Sequence, residues 1–167
     1  MPRVWISVGS NIDRETHIRA ALNELQAVFG ELVVSPVYEA QAVGFDGDPF
    51  FNLVVGFYSE FPPATLHGLM REIEARHGRK RNGEKLASRT LDLDVLTYGD
   101  QVGDAGGKTL PRDEIVEYAF VLAPLADVAG GERHPALGER YADLWARMTT
   151  QTRPALRRVE DMEWLHD

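Results

Sequence analysis

Two aspartates inside an apolar run are the first residues of this sequence that could do chemistry. Asp92 and Asp94 flank Leu93, and the run from Thr90 to Tyr98 has the composition of a β-strand. Strand side chains alternate between faces, so both carboxylates are predicted to point to one side, about 7 Å apart. Carboxylates so placed can share Mg²⁺, whose remaining ligands are water and phosphate oxygens. The alternative is an edge strand with a solvated acidic face, although Asp is depleted in strands.

A dense basic segment lies directly upstream of these aspartates. Residues 76–89 hold six of the 18 Lys and Arg residues in a chain whose net charge is −8. Guanidinium groups bind phosphate oxygens in pairs, so the segment could clamp a nucleotide. The alternative is a solvated basic loop after a helix C-terminus. Together, the segment and the aspartates would supply phosphate neutralisation and metal ligands. The six residues are Arg76, Arg79, Lys80, Arg81, Lys85 and Arg89.

The segment Pro49–Asn52 could recognise a flat heterocycle. Phe50 and Asn52 share a strand face by the same alternation. An aromatic ring beside an amide can stack on such a ligand and hydrogen-bond to its edge. The alternative is that the aromatic side chain belongs to the core. The predicted turn Gly9–Asn11 matches neither a P-loop nor a Rossmann fingerprint, and the five histidines show no metal-ligand spacing.

Composition limits the classes of protein that remain. The 167 residues suit one domain, taken as 1–167, and 44% apolar residues indicate a globular chain. The absence of cysteine excludes disulfides and thiolate metal sites and agrees with a cytoplasmic location. No apolar run reaches the roughly 20 residues of a membrane helix, and strand-like residues begin at Val4, so neither a membrane partner nor a signal peptide is expected. The acidic net charge disfavours nucleic-acid binding, and a monomer is expected.

The elements that must position these residues are strands mixed with two longer helices. There are too few strand–helix–strand units for a doubly wound sheet, so the pattern favours an α+β fold. Strands are predicted at 4–8, 32–38, 50–58 and 90–98, helices over 18–29, from 62 through 73, near 111–116 and over 138–149, a hairpin or loose loop at 99–109, and a further apolar run at 119–125.

From Val4 to about Pro135 the chain resembles the 6-hydroxymethyl-7,8-dihydropterin pyrophosphokinase family of the folate pathway. The string RTLDLD at Arg89–Asp94, with a glutamate and a basic segment upstream, is highly specific. The resemblance implies a ferredoxin-like α+β fold with three layers, αβα, whose central layer is a mainly antiparallel sheet. It also implies transfer of diphosphate from ATP to the hydroxymethyl group of the pterin, with release of AMP and two Mg²⁺ ions. Other matching strings are Ile6–Asn11, Ser35–Tyr38, Phe50–Asn52, Ile73–Glu74, Gly78–Arg79 and Ala119–Leu125.

Site roles follow from the same resemblance, position by position. The residues matched to catalysis are Asp92 and Asp94, as Mg²⁺ ligands, and Arg79 and Arg89, on the polyphosphate. The residues matched to nucleotide binding are Glu74, Arg81, Thr109 and Arg112. The residues matched to the pterin are Phe50 and Phe120, which would sandwich it, Asn52, which would read its edge, and Ala40 and Val43, in a loop that would close over it.

The chain departs from the family pattern at three places. Leu86 stands where the family has Trp, before Ala87–Ser88 in place of Gly-Pro; Arg112 stands for a His, and Tyr118 for an Arg. These departures leave open an alternative, a pterin-binding relative with weak or altered transferase activity. The basic segment is also predicted to be a lid that closes on ATP, because it is polar and has few apolar anchors.

Overall fold

The computed structural model describes residues 1–42, 46–78, 90–151 and 155–165. Its elements are β1 (Arg3–Ser10), α1 (Arg14–Phe29), β2 (Val33–Val34), β3 (Tyr38–Ala40), β4 (Phe50–Tyr58), α2 (Pro63–Arg76), β5 (Asp92–Tyr98), β6 (Gly103–Ala105), β7 (Lys108–Leu110), α3 (Glu114–Glu117), α4 (Ala119–Ala129), α5 (Tyr141–Gln151) and β8 (Leu156–Arg158), followed by a 3₁₀ turn at Glu163–Leu165.

The main sheet has the strand order β5-β1-β4-β3-β8, with β2 also paired to β4. The described pairings in this sheet are antiparallel. Apolar residues on one face, such as Ile6, Val55 and Val95, pack against α1 and α2. Residues on the other face, such as Trp5 and Val54, pack against α4 and α5. The predicted three-layer α+β fold with a mainly antiparallel sheet is therefore confirmed.

The sequence pattern placed some strands better than others. The strand predicted over 50–58 is observed with the same bounds. The single strand predicted over 32–38 is wrong, because the chain forms the two short strands β2 and β3 instead. Pro36 has no N–H and cannot donate to a ladder. At this interruption the Ser35 hydroxyl accepts a hydrogen bond from the Val54 N–H at 2.8 Å, so a side chain replaces a backbone partner.

The first strand continues through a predicted turn. β1 reaches Ser10, and Gly9 is paired with Asn52 of β4 on one side and Asp92 of β5 on the other. The interpretation of Gly9–Asn11 as a turn is therefore wrong for Gly9 and Ser10. A glycine inside a strand often marks a place where another group must approach the backbone closely.

The segment predicted as a hairpin or loose loop forms the hairpin β6–β7, which is fixed to α2. The Gly106 backbone has a φ of +69°, and a Cβ at this position would lie 2.4 Å from the Ala64 nitrogen. The His67 Nε2 atom lies 2.8 Å from the Ala105 carbonyl oxygen, to which it donates. These contacts hold the hairpin beside β5. Within the described ranges, no helix is long and apolar enough to cross a membrane.

Candidate active site

The two aspartates lie on the sheet face that α4 and α5 cover only in part. Asp92 and Asp94 alternate along β5 with Leu93 and Val95, which are buried in the core on the opposite face. Both aspartates are half-buried, and Leu96, next in phase with them, packs under the helices. The predicted common face of the two carboxylates is confirmed, and it opens away from the α1 and α2 core.

Gly9 forms the floor between Asp92 and Asn52, and the Asn52 amide lies over part of it. Directly paired residues of neighbouring strands project to the same face, so these two side chains flank a position that has none. A Cβ on Gly9 would lie 2.9 Å from the Asn52 Oδ1 atom and 3.8 Å from the Phe50 ring. Phe51, by contrast, is 5% exposed and belongs to the opposite core. The predicted phase, with Phe50 and Asn52 on the site face, is confirmed.

Phe120 lies at the start of α4, on one wall of a cleft of about 710 Å³. Its ring stacks on Tyr118, with centroids 4.9 Å apart and ring planes 18° from parallel. Ala40, at the end of β3, lines the same cleft. Phe50 and Asn52 border the space above Gly9 instead. The sandwich of a pterin between Phe50 and Phe120 therefore stays a prediction, with one proposed member on strand β4 and the other on helix α4.

Both oxygens of the Asp94 carboxylate face cations. Lys108 Nζ lies 3.3 Å from Oδ1, and Arg112 Nε lies 3.2 Å from Oδ2. Arg112 also donates two hydrogen bonds to the Glu114 carboxylate, at 3.2 and 3.1 Å. Burial raises the pKa of Asp94, and the positive charges of Arg112 and Lys108 oppose that rise. The positive charges of Lys108 and Arg112 therefore stabilise the ionised form of a partly desolvated Asp94 carboxylate.

Glu74 holds the strand that presents the aspartates. Its side chain is 1% exposed, and its Oε2 atom accepts a hydrogen bond from the Leu93 N–H at 2.8 Å. β5 is the end strand of the main sheet, so this N–H faces away from β1 and needs another acceptor. The nucleotide contact predicted for Glu74 stays a prediction. The contact with Leu93 is a structural role that the sequence did not reveal.

A cluster of side chains joins the end of α2 to α1. Glu24 accepts hydrogen bonds from Arg76 Nε and from His77 Nε2, each at 2.8 Å. The other nitrogen of His77, Nδ1, lies 2.8 Å from His17 Nδ1, and one of these two atoms must carry the shared proton. Burial, and next the charge of His77, lower the pKa of His17. The chain thus enters the basic segment from a helix end that is anchored to its neighbour.

Several predicted site residues lie outside the described residues. Thr109 and Arg112 are described: Thr109 is exposed on β7, paired with Asp104, and Arg112 contacts Asp94. Lys108 was missed, although it is the sole cation between residues 99 and 111 of the sequence. The predicted residues outside the described ranges are Val43, Arg79, Arg81, Leu86 and Arg89, together with the proposed lid over 79–89.

Comparison with known proteins identifies the class to which this fold and site belong. The family model described as 7,8-dihydro-6-hydroxymethylpterin-pyrophosphokinase (HPPK) matches residues 5–130. The chain is 34% identical, over 80% of its own length and 84% of the relative's, to a 2-amino-4-hydroxy-6-hydroxymethyldihydropteridine pyrophosphokinase from Pseudomonas aeruginosa. The chain therefore belongs to the HPPK family. The predicted family and enzyme class are confirmed, and the alternative of a pterin-binding relative is not favoured.

Longer relatives contain the same unit. The chain is 35% identical to a folate synthesis bifunctional protein of Arabidopsis thaliana over 77% of this chain, which is 27% of that protein. The structure of wild-type HPPK-DHPS from Plasmodium falciparum aligns with this chain at a TM-score of 0.70 and 13% identity. The alignment covers 96% of this chain and 48% of the Plasmodium chain. At that identity the structural likeness supports the fold alone.

Proposed function

We propose that this chain transfers the diphosphate of ATP to the hydroxymethyl group of 6-hydroxymethyl-7,8-dihydropterin in folate biosynthesis. The hydroxymethyl oxygen would attack the β-phosphorus, the bond from that phosphorus to the oxygen of the α-phosphate would break, and AMP and a proton would be released. The observation that carries the proposal is the row across the sheet face opposite α1 and α2: Asp92, Gly9 and Asn52, with Phe50 adjacent. It places a carboxylate and an amide on one floor, which supports a site where a metal-bound phosphate and a flat heterocycle would meet.

The residues on this floor suit Mg²⁺, which would be held by Asp92 and Asp94. Asp94 already faces two cationic groups, as expected of a carboxylate placed to meet positive charge. When bound, the metal would neutralise the charge of the triphosphate. Two ions are proposed, by resemblance to the family. Both carboxylates project from a strand whose opposite face is buried, so they are held on a rigid element.

The other residues would bind and orient the two substrates. Asn52 would hydrogen-bond to the edge of the pterin, Phe50 and Phe120 would contact its faces, and Ala40 and Val43 would lie beside it. Such positioning, with charge stabilisation, is most of what phosphoryl transfer asks of a protein. The residues proposed to contact the nucleotide are Glu74, Arg79, Arg81, Arg89, Thr109 and Arg112.

The decisive experiment measures AMP released from ATP, Mg²⁺ and the pterin. We expect release to require the pterin, and Asp92→Asn or Asp94→Asn to lower its rate by at least about 100-fold. Asp100→Asn is the matched control, because Asp100 is an exposed aspartate in the turn just after β5. Circular dichroism would verify that all three variants fold. A normal rate in the folded Asp94→Asn variant would refute the assigned role, and no pterin-dependent AMP from the wild type would refute the function.

We further propose that residues 1–167 act as one unit, a cytoplasmic monomer whose partners are ATP and the pterin, without nucleic acid or membrane. The absence of cysteine and the acidic charge support this proposal. Sedimentation velocity at micromolar concentration would detect a dimer, which would contradict the monomer.

A further inference from the structure

Lys108 is a charged group at the candidate site to which no role has been assigned. Its ammonium lies 3.3 Å from Asp94 Oδ1, with the lysine side chain 35% exposed and the aspartate side chain 21% exposed. The pair therefore lies at the edge of the site, where one partner can still reach solvent. Among the described residues, Asp94 is the hydrogen-bonding partner of the Lys108 ammonium.

The backbone that carries Lys108 is held by contacts with α2, whereas its side chain is partly exposed. The β6–β7 turn uses Gly106 and Gly107, whose φ values are +69° and +94°, and Lys108 is paired with Ala105. The contacts with Ala64 and His67 fix this hairpin on α2. The flexible four-carbon stem of a lysine lets its ammonium move while the Cα stays in place. The hairpin thus fixes the Cα of a lysine whose ammonium lies beside Asp94.

Arg112 does not have the same freedom. Two hydrogen bonds to Glu114 hold its guanidinium while it also contacts Asp94. A partly exposed ion pair such as Lys108–Asp94 adds little to folding stability, because solvent screens it. Stability is therefore a poor reason for a lysine at this position, and Arg112 already supplies a fixed countercharge to Asp94.

We propose that Lys108 binds the polyphosphate of the nucleotide and rests on Asp94 when no nucleotide is present. This inference rests on the proposed function. A divalent ion on Asp94 would compete with the ammonium for the same carboxylate and repel it. A polyphosphate bound beside Asp94 would offer the displaced ammonium oxygen atoms of opposite charge. Lys108 then moves from a carboxylate to a phosphate oxygen and remains paired throughout, so no charge is left uncompensated.

The test compares Lys108→Met and Lys108→Arg with the wild type by calorimetric titration of a non-hydrolysable ATP analogue with Mg²⁺, and of AMP. We expect Lys108→Met to weaken binding of the analogue by about tenfold or more, as for a lost hydrogen bond between charged groups. AMP binding should change less than twofold, and Lys108→Arg should keep most of the affinity for the analogue. Titration of Mn²⁺ without nucleotide should show equal or tighter binding to Lys108→Met, since a competitor for Asp94 is removed.

Arg140→Met is the matched control, because it removes one positive charge from an exposed pair with Asp143 on another part of the surface. Unchanged analogue binding by Lys108→Met, an equal loss for AMP, or a loss also seen with Arg140→Met would overturn the inference. A Lys108→Arg variant as weak as Lys108→Met would do the same, because it would indicate a packing role. If the wild type released no AMP but lost analogue affinity on Lys108→Met, the proposed function would fail while this inference stood.

Discussion

Because Gly9 has no side chain, the effect of Gly9→Ala can be predicted from the atoms around it. The Gly9 backbone lies in the extended ladder, where alanine is allowed, so the substitution acts through the added methyl group. That methyl carbon would lie 2.9 Å from the Asn52 Oδ1 atom. The contact is too short to persist, and the end of a flexible side chain is the part that gives way. We therefore expect the Asn52 amide to move off the position from which it would meet the pterin.

The expected size of the effect follows from the lost contact. A hydrogen bond contributes about 0.5–1.5 kcal/mol net, which corresponds to a loss of about 2- to 12-fold in pterin affinity. Folding stability should change by less than about 1 kcal/mol, because replacing glycine lowers the entropy of the unfolded chain and offsets part of the crowding. The variant should thus separate binding from stability.

The assay measures the pterin dissociation constant by calorimetry, with an ATP analogue present, and unfolding in urea. Gly56→Ala is the contrasting control: its Cβ would lie 2.3 Å from the Trp5 ring, which is buried and cannot move away. That variant should lose about 1–3 kcal/mol of stability through overpacking. An unchanged pterin affinity in Gly9→Ala, or a stability loss as large as that of Gly56→Ala, would refute the reasoning.

Three further predictions concern the supports of the site and the cluster on α1. Glu74→Leu should lower the free energy of unfolding by about 1–3 kcal/mol, because the Leu93 N–H loses its acceptor. Glu74→Gln keeps an acceptor oxygen and should recover part of that free energy. Equal urea midpoints for the two variants would contradict the role of this hydrogen bond. Tyr118→Ala should weaken pterin binding by removing a ring pair worth about 0.5–1.5 kcal/mol, whereas Tyr118→Phe should not, as calorimetry can decide. Folding lowers the pKa of His17, so the unfolded chain binds a proton at this imidazole more readily than the folded chain. The folded state should therefore lose stability as pH falls below about 6.5, the ordinary pKa of histidine. The urea midpoint should depend less on pH in His17→Gln than in the wild type, and an identical dependence would contradict the shift.

How far the sequence predicts this site depends on whether a feature is local. The alternation of Asp92 and Asp94 with buried leucine and valine is a period-2 signal, and the structure agrees with it. The prediction of a turn at Gly9 was wrong because glycine is a common turn residue, and nothing nearby in the sequence reveals that two strands flank it. The contacts of Glu74 and Lys108 join residues 19 and 14 positions away along the chain, so only the tertiary fold brings them together. The strand β8, three residues with two arginines, pairs through its backbone and shows no alternation.

The same strands carry both core residues and candidate site residues. The packing of the core therefore also holds the site residues in place. Along β1, the side chains on the site face shrink from Trp5 through Ser7 to Gly9, while Val4, Ile6 and Val8 on the opposite face are apolar and buried. Helix α4 packs on the end of β1 that carries Trp5, and Gly9 lies near the other end, between Asp92 and Asn52. A slip of β5 by one residue would turn Asp92 and Asp94 into the core, which desolvation forbids. The hydrophobic core therefore fixes the register of the strand, and the register places both carboxylates on the face opposite that core.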